Sequence, residues 1–235
     1  MENFCLDCKV KKSNTENLVF ERDAWDSGRL VCGIDEVGRG CLAGPVVAAA
    51  VILRPGMTDV RVRDSKEMTS SERNLAVEWI VRSGWYGIGY VNSFGVDQYG
   101  IVNATMRAMR LALSQAIVSA GSLPERILVD AVPLRLQGEV LRNIPVVFRP
   151  RGEQWSMSIA AASIVAKVYR DQLMNRFDGL TPGYSFAEHK GYGTGQHCSA
   201  LLECSDSLIH RQSFLKTIHH NIMEQRHGRQ KELFG

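Results

Sequence analysis

The sequence predicts an α/β protein built on a mixed sheet. Three observations carry this. Two apolar runs, at 30–34 and 45–53, flank glycine-rich turn chemistry and read as a strand pair. Further short apolar runs then alternate with long stretches of helical periodicity. Strands first and alternation afterwards is the pattern of one layered α/β domain. A chain of 235 residues is long enough to bury such a core and to carry an appendage.

The elements follow in order. Residues 1–20 are polar and form an extension; 21–215 form the domain; 216–235 form a helical or irregular tail. Leu30-Val31-Cys32-Gly33-Ile34 is a strand that ends in charge. Pro45 to Leu53 has β-branched ends and closes on Arg54-Pro55-Gly56, so it is a buried strand able to pair with the first as a hairpin. Ser70 to Arg82 is helical, capped by Ser70 or Ser71, with Leu75, Ala76, Trp79 and Ile80 on one face. Trp85 to Val91 alternates like a strand, and Val96 to Ala120 is one long helical stretch. Arg126 to Asp130 is a short strand ending on a carboxylate, and Ile144 to Phe148 is another. Ser156 to Phe177 is a helix whose opening Ser-Met-Ser-Ile-Ala-Ala-Ala-Ser is small enough to approach a sheet closely.

Composition excludes several classes. With 45% hydrophobic and 23% charged residues, nothing points to disorder or a coiled coil. The net charge of +3 permits nucleic-acid binding without arguing for it. No run of 18 apolar residues offers a membrane span, and Met1 to Asn17 lacks a signal peptide's apolar stretch. The six scattered cysteines suit a reduced compartment, so a cytoplasmic protein is expected. Cys5-Leu6-Asp7-Cys8 has the spacing of half a zinc knuckle, but a structural site needs four ligands and no second close pair exists. A frayed terminus is the competing reading. No G-x-S-x-G elbow supports acyl transfer.

The chemistry-bearing residues repeat one idea. Asp35-Glu36 follows the first strand, Asp130 ends a later one, and Glu153 lies just before the long helix. If those strands are neighbours, their carboxyl ends gather several acids at one sheet edge. Such acids repel unless a cation sits among them, and an oxygen-rich set suits Mg²⁺ or Mn²⁺. An acid at a strand end is also an ordinary turn residue or cap, so spacing alone leaves both readings open. Gly38-Arg39-Gly40-Cys41-Leu42-Ala43 fits G-x-G-x-x-A, yet no helix starts at these glycines, which a dinucleotide site requires. The glycines suit close approach of backbone amides to a sugar-phosphate chain, with Arg39 either adding charge or simply solvated. His189-Lys190-Gly191-Tyr192-Gly193-Thr194 suits ribose and base contacts, or is a plain surface loop. Asp64-Ser65-Lys66 is a phosphate contact or a helix-entry turn.

Gly33-Ile34-Asp35-Glu36-Val37-Gly38-Arg39-Gly40-Cys41-Leu42-Ala43-Gly44-Pro45 resembles the opening signature of ribonuclease HII, the type 2 ribonucleases H. The resemblance continues through Asp64-Ser65-Lys66, Val129-Asp130, Ser158-Ile159-Ala160-Ala161-Ala162-Ser163, His189 to Thr194 and His210-Arg211-Gln212-Ser213-Phe214. It implies an RNase H-like mixed sheet flanked by helices, with a C-terminal helical segment. It implies cleavage of RNA in RNA–DNA hybrids and at single ribonucleotides in duplex DNA, leaving 5′-phosphate and 3′-hydroxyl ends. It implies Asp35, Glu36 and Asp130 as metal ligands, with Glu153 standing where the family usually has Asp. Asp171 is the fallback for that fourth carboxylate. Two ions, Mg²⁺ or Mn²⁺, are expected: one on Asp35 and Asp130 with Glu153 nearby, the other on Asp35 and Glu36, arriving with substrate phosphate. Gly38, Arg39 and Gly40 would read the 2′-hydroxyl, Ser65 and Lys66 would contact substrate, and Tyr192 would stack at the ribonucleotide junction. Cys41 stands for a frequent Pro and Ala131 for a frequent Gly. No membrane and no obligate protein partner are expected, and the chain is expected to be a monomer. A hybrid-binding protein without activity, and a DNA-only nuclease of the same fold, are the rival readings.

Overall fold

The computed structural model describes residues 17–59, 61–130, 134–136, 138–148 and 150–216. Cys5, Cys8, Ala131 and nearly all of the 216–235 tail lie outside them. The centre is a five-stranded sheet. Its strands are β1 (Val31–Val37), β2 (Val46–Leu53), β3 (Gly84–Val91), β4 (Arg126–Val129) and β5 (Val146–Phe148), in the order β3-β2-β1-β4-β5. β1, β2 and β3 pair antiparallel, and β1, β4 and β5 pair parallel, so the sheet is mixed as expected. β1 and β2 form the hairpin around the glycine loop, with Val37 opposite Val47.

The helices are α1 (Val19–Asp26), α2 (Ser70–Ser83), α3 (Ser93–Tyr99), α4 (Ile101–Ala120), α5 (Glu139–Arg142), α6 (Met157–Leu180), α7 (Phe186–His189) and α8 (Gly195–Cys204). Two core layers result. α6 and α2 cover one face through Val47, Ala49, Val51, Ala161, Val165 and Ile80. α4 covers the other through Ile34, Ala48, Ala50, Ala108, Ala112 and Val129. All eight residues of β2 are buried, which explains why it reads as a continuous apolar run rather than an alternation.

Small residues let the layers close. A Cβ on Gly33 would lie 2.2 Å from the Ser158 carbonyl carbon, so β1 touches the backbone at the start of α6. A Cβ on Gly89 would lie 2.1 Å from the Ala108 carbonyl oxygen, so β3 touches α4 in the same way.

Several expectations need correction. β1 runs on to Val37, so Asp35 and Glu36 lie within the strand rather than after it. α2 is capped by Thr69, not Ser70 or Ser71; Thr69 and Glu72 form a reciprocal capping box. The long helical stretch is two helices, because Gly100 adopts a positive φ of 73° between α3 and α4. α1 was not foreseen. It begins inside the presumed extension, and Leu18 just before it is buried and bridges to Ser156.

Gly33→Ala is expected to destabilise the fold by about 3 kcal/mol, at the upper end for overpacking, because the neighbouring atoms are backbone and cannot rotate away. Denaturant unfolding of the variant beside the parent checks this.

Candidate active site

The parallel pairing of β1 with β4 builds the site. Ile34 pairs with Val129, so the next residues, Asp35 and Asp130, come level, and the Asp130 amide donates to the Ile34 carbonyl at 3.3 Å. Side chains alternate along each strand. Cys32, Ile34, Ile127 and Val129 pack in the α4 layer, so Asp35 and Asp130 leave on the α6 side. Glu153 arrives there in a 3-10 turn (Gly152–Gln154) ahead of α6, and a Cβ on Gly152 would sit 3.6 Å from the Asp130 Cβ. Its carboxyl is raised by burial and by the charges of Asp130 and Asp64, with Lys66 opposing. Glu153 therefore belongs to the same edge.

Electrostatics mark these acids as mutually strained. Asp35 is pushed up to about 8, first by burial and then by the Glu36 charge, with Asp130 adding. A hydrogen bond from Ser163 and one from the Glu36 amide at 2.8 Å oppose the shift. Glu36 is raised by burial and by Asp130, and is held back by Arg39, whose Nη1 lies 3.3 Å from its Oε1. Among the described residues, Glu36 Oε2 and Asp130 Oδ1 are buried without a hydrogen-bond partner. Buried carboxylate oxygens ordinarily find donors, so this pair marks a place for a cation. The donors are all oxygen, which fits a hard divalent ion. Among the described residues no three such side chains stand ready-made around one point. An ion here would complete its shell with water or phosphate, as Mg²⁺ commonly does.

Asp171 is not part of this edge. It pairs with Lys167 at 2.8 Å and faces Arg73 at 4.0 Å, so both neighbours neutralise it. In the Asp64-Ser65-Lys66 segment, Asp64 caps a 3-10 turn (Ser65–Glu67) through the Lys66 amide, as the helix-entry reading expected. Ser65 is buried and its Oγ lies 2.9 Å from Ser163 Oγ, which links this turn to Asp35. Lys66 is exposed.

The glycine loop is held from beneath by two arginines. Arg211 donates to the carbonyls of Gly38, Arg39 and Gly44 at 2.7, 2.9 and 3.0 Å. Arg170 donates to those of Ala43, Pro45 and Lys190 at 3.1, 3.0 and 2.8 Å. Both are fully buried. A peptide's N–H points opposite to its carbonyl, so turning Gly38 and Arg39 carbonyls inwards aims the Arg39 and Gly40 amides the other way. Gly38 has a φ of 88°, and a Cβ there would strike Arg170 at 2.2 Å, so only glycine fits. Tyr192 is 39% exposed, in the loop that packs on this one: the Leu42 amide donates to the Gly191 carbonyl at 2.8 Å. The buried Cys41 thiol adjoins the Tyr192 hydroxyl.

Arg170 escaped the sequence reading. Its signal was present: Ala162, Ala166, Arg170 and Met174 recur every four residues and all are buried. An arginine in the apolar stripe of an alanine-rich helix marks a structural guanidinium.

A mixed sheet with acids gathered at its edge and a clamped glycine loop beside them defines a nuclease of RNase H-like fold. Solved structures share it. An RNase HII from Archaeoglobus fulgidus, solved with PCNA, superposes with TM-score 0.62 at 23% identity over 79% of this chain and 94% of that one. A Bst-RNase HIII in complex with Mn²⁺ superposes with TM-score 0.57 at 18% identity over 75% and 70%. The family model "Ribonuclease HII" matches residues 32–217. The Ribonuclease HII of Ruminiclostridium cellulolyticum is 45% identical over 85% of this chain and 75% of its own length. That of Thermus thermophilus is 39% identical over 83% and 91%. The chain belongs to the ribonuclease HII family, metal-dependent hydrolytic endonucleases that act on RNA–DNA hybrids. The Archaeoglobus protein was solved bound to PCNA, a protein partner of that enzyme. Among the described residues no helix is long and apolar enough to cross a membrane.

The raised Asp35 carboxyl makes a stability prediction. The folded, metal-free protein holds this proton more tightly than the unfolded chain, so its stability falls as pH rises from about 4, the unfolded carboxylate value, towards the folded value of about 8. Melting in EDTA is expected to drop across this window, Mg²⁺ to raise the melting temperature more at pH 8 than at pH 5, and Asp35→Asn to flatten the metal-free profile.

Proposed function

We propose that this protein cleaves at single ribonucleotides embedded in duplex DNA as well as within RNA–DNA hybrids, through two divalent ions. The site would be carried by one catalytic domain spanning residues 21–215. The observation that carries the reading is the pair of buried, unpartnered oxygens, Glu36 Oε2 and Asp130 Oδ1, flanking the strained Asp35 beside an amide-presenting loop.

Asp35 and Asp130, with Glu153 nearby, would hold one Mg²⁺ or Mn²⁺; Asp35 and Glu36 would hold the second, shared with the substrate phosphate. The chemistry supplied by such ions is activation of a water for attack on phosphorus and stabilisation of the leaving 3′-oxygen, giving 5′-phosphate and 3′-hydroxyl ends. Ser163 and the Glu36 amide orient the Asp35 carboxylate by their hydrogen bonds. The Arg39 and Gly40 amides, turned outwards by Arg211, face the 2′-hydroxyl, which alone separates RNA from DNA at one position. A deoxyribose there would leave buried polar groups unpaired. Exposed Lys66 beside Glu153 suits a phosphate contact, and Ser65 orders that turn. Tyr192 offers an exposed ring for stacking at the junction, with Arg170 at 5.7 Å and Lys167 at 6.0 Å from its centroid. The activity places the protein in removal of ribonucleotides from DNA during replication and repair.

Two measurements test this on a labelled duplex with one ribonucleotide. Asp35→Asn is expected to lower turnover in Mg²⁺ by roughly a thousandfold or more while hybrid binding survives, the scale of losing a central electrostatic group. Near-normal turnover would remove Asp35 from the metal site. Tyr192→Ala is expected to slow cleavage at the lone ribonucleotide by about ten- to a hundredfold, the worth of one stacked base. An unchanged rate would remove Tyr192 from recognition. The same duplex without the ribonucleotide should stay intact.

A further inference from the structure

Behind the Tyr192 loop lie three buried histidines, His189, His197 and His210, gathered around the Phe186 ring. His189 and His197 stack at 4.4 Å between ring centres. His197 Nε2 and His210 Nε2 are 2.9 Å apart. That is a hydrogen bond between two imidazoles, so one nitrogen carries the proton and the other accepts it.

The ends of the chain decide which. His197 Nδ1 lies 2.9 Å from the Tyr192 carbonyl, which can only accept, so Nδ1 bears the proton and Nε2 of the neutral ring is an acceptor. His210 Nδ1 receives the Ser207 amide at 2.8 Å, which can only donate, so Nδ1 is bare and Nε2 bears the proton. The two requirements meet at the middle bond, where His210 Nε2 donates to His197 Nε2. His189 is settled likewise: Nε2 donates to the Tyr184 carbonyl at 2.6 Å and Nδ1 accepts from the Gly191 amide at 3.1 Å. One run of hydrogen bonds thus joins the Ser207 amide to the Tyr192 carbonyl, and a second histidine braces Gly191 beside it.

The backbone of the same segment braces the other reading loop. Ala43 bridges to His210, the Gly44 amide donates to the Ile209 carbonyl at 2.8 Å, and the Arg211 amide donates to the Leu42 carbonyl at 2.8 Å. The segment around His210 therefore grips the glycine loop through the main chain of Ile209 and Arg211, and the Tyr192 loop through the His210 side chain by way of His197.

We propose that His197 and His210 are positioning residues that set the separation between Tyr192 and the glycine loop, and thereby the preference for a lone ribonucleotide over continuous RNA. The inference rests on the stacking role given to Tyr192 above. Neither histidine touches substrate; both act through the Tyr192 backbone.

The test uses paired substitutions of similar size and polarity in the full chain. In His197→Asn the side-chain amide sits where Nδ1 was and keeps the donor to Tyr192; in His197→Gln it sits one carbon further and loses it. The readout is the ratio of single-turnover rates on a duplex with one ribonucleotide and on a continuous RNA–DNA hybrid, with melting temperatures measured alongside. His197→Gln is expected to lower the ratio about three- to tenfold, the worth of one hydrogen bond, and His197→Asn to restore most of it. Adding His197→Gln to Tyr192→Ala is expected to lower the ratio no further, since residues acting through one contact are not additive. Equal ratios for Asn and Gln, or losses that multiply in the double variant, would overturn the proposal, since a purely structural role moves the melting temperature of both without separating them. If Tyr192→Ala itself leaves the ratio unchanged, it is the stacking reading that falls. Should His197→Gln not fold, His210→Gln, which keeps an Nε2–H, against His210→Leu, which does not, reads the same link, with a higher ratio expected for Gln and equal ratios overturning it.

Discussion

Two buried guanidinium groups hold the glycine loop of this protein and its neighbouring loop together. Arg170 and Arg211 make six hydrogen bonds to main-chain carbonyls, five of them in the loop between β1 and β2. Burying each charge costs several kcal/mol. Each bond from a charged donor returns about 1.5–3 kcal/mol. The arrangement is favourable because every nitrogen of each planar fork finds a carbonyl. Burial and the neighbouring Arg170 lower Arg211 to about 10, which leaves it charged at neutral pH. Five carbonyls are thereby committed inwards; with those of Gly38 and Arg39 among them, the Arg39 and Gly40 amides face out, while the Leu42 and Gly44 amides bond to the Gly191 and Ile209 carbonyls. A loop of three glycines would otherwise have many conformations; here it has one.

The clamp also joins distant parts of the chain. Arg170 sits in the third turn from the end of α6, while Arg211 follows α8 by seven residues. Asp97 on α3 accepts the Gln212 and Ser213 amides at 2.8 and 2.9 Å, capping the helical residues 212–216 and holding Arg211 in reach. The carboxylate edge adjoins the same loop through the Arg39–Glu36 pair at 3.3 Å. Its acids are set by strand register and are destabilising without a cation, which is the usual relation between a working site and its fold. The rigid part is the small-residue contact of β1 with α6: where Gly33 meets Ser158, the start of α6 cannot drift, and neither can the turn carrying Glu153.

Much of this was legible in the residues. The five strands follow from short apolar runs and turn chemistry, because local sterics and burial dictate them. Thr69 took the cap from Ser70 because Glu72 stands three residues after Thr69, which completes a reciprocal pair. Gly100 split one apparent helix because a positive φ cannot continue a helical turn, although the apolar spacing runs across it. α1 was missed because its stability comes from contacts far along the chain: buried Glu21 accepts from Ser156 Oγ at 2.5 Å and from the Ser158 amide at 2.9 Å.

The sequence by itself determined the five strands, the helices α2, α4 and α6, and the family, and it singled out Asp35, Glu36 and Asp130 as the candidate acids. Those are local or ordered along the chain, so one dimension suffices to see them. Only the tertiary structure decided that Asp35 stands level with Asp130, that Glu153 shares their edge while Asp171 pairs with Lys167 elsewhere, and that Arg170, Arg211 and three histidines brace the glycine loop and the Tyr192 loop. The reason is physical. Register, burial and the direction of a proton in a hydrogen bond are properties of neighbours in space, and here those neighbours lie up to 173 positions apart in the chain.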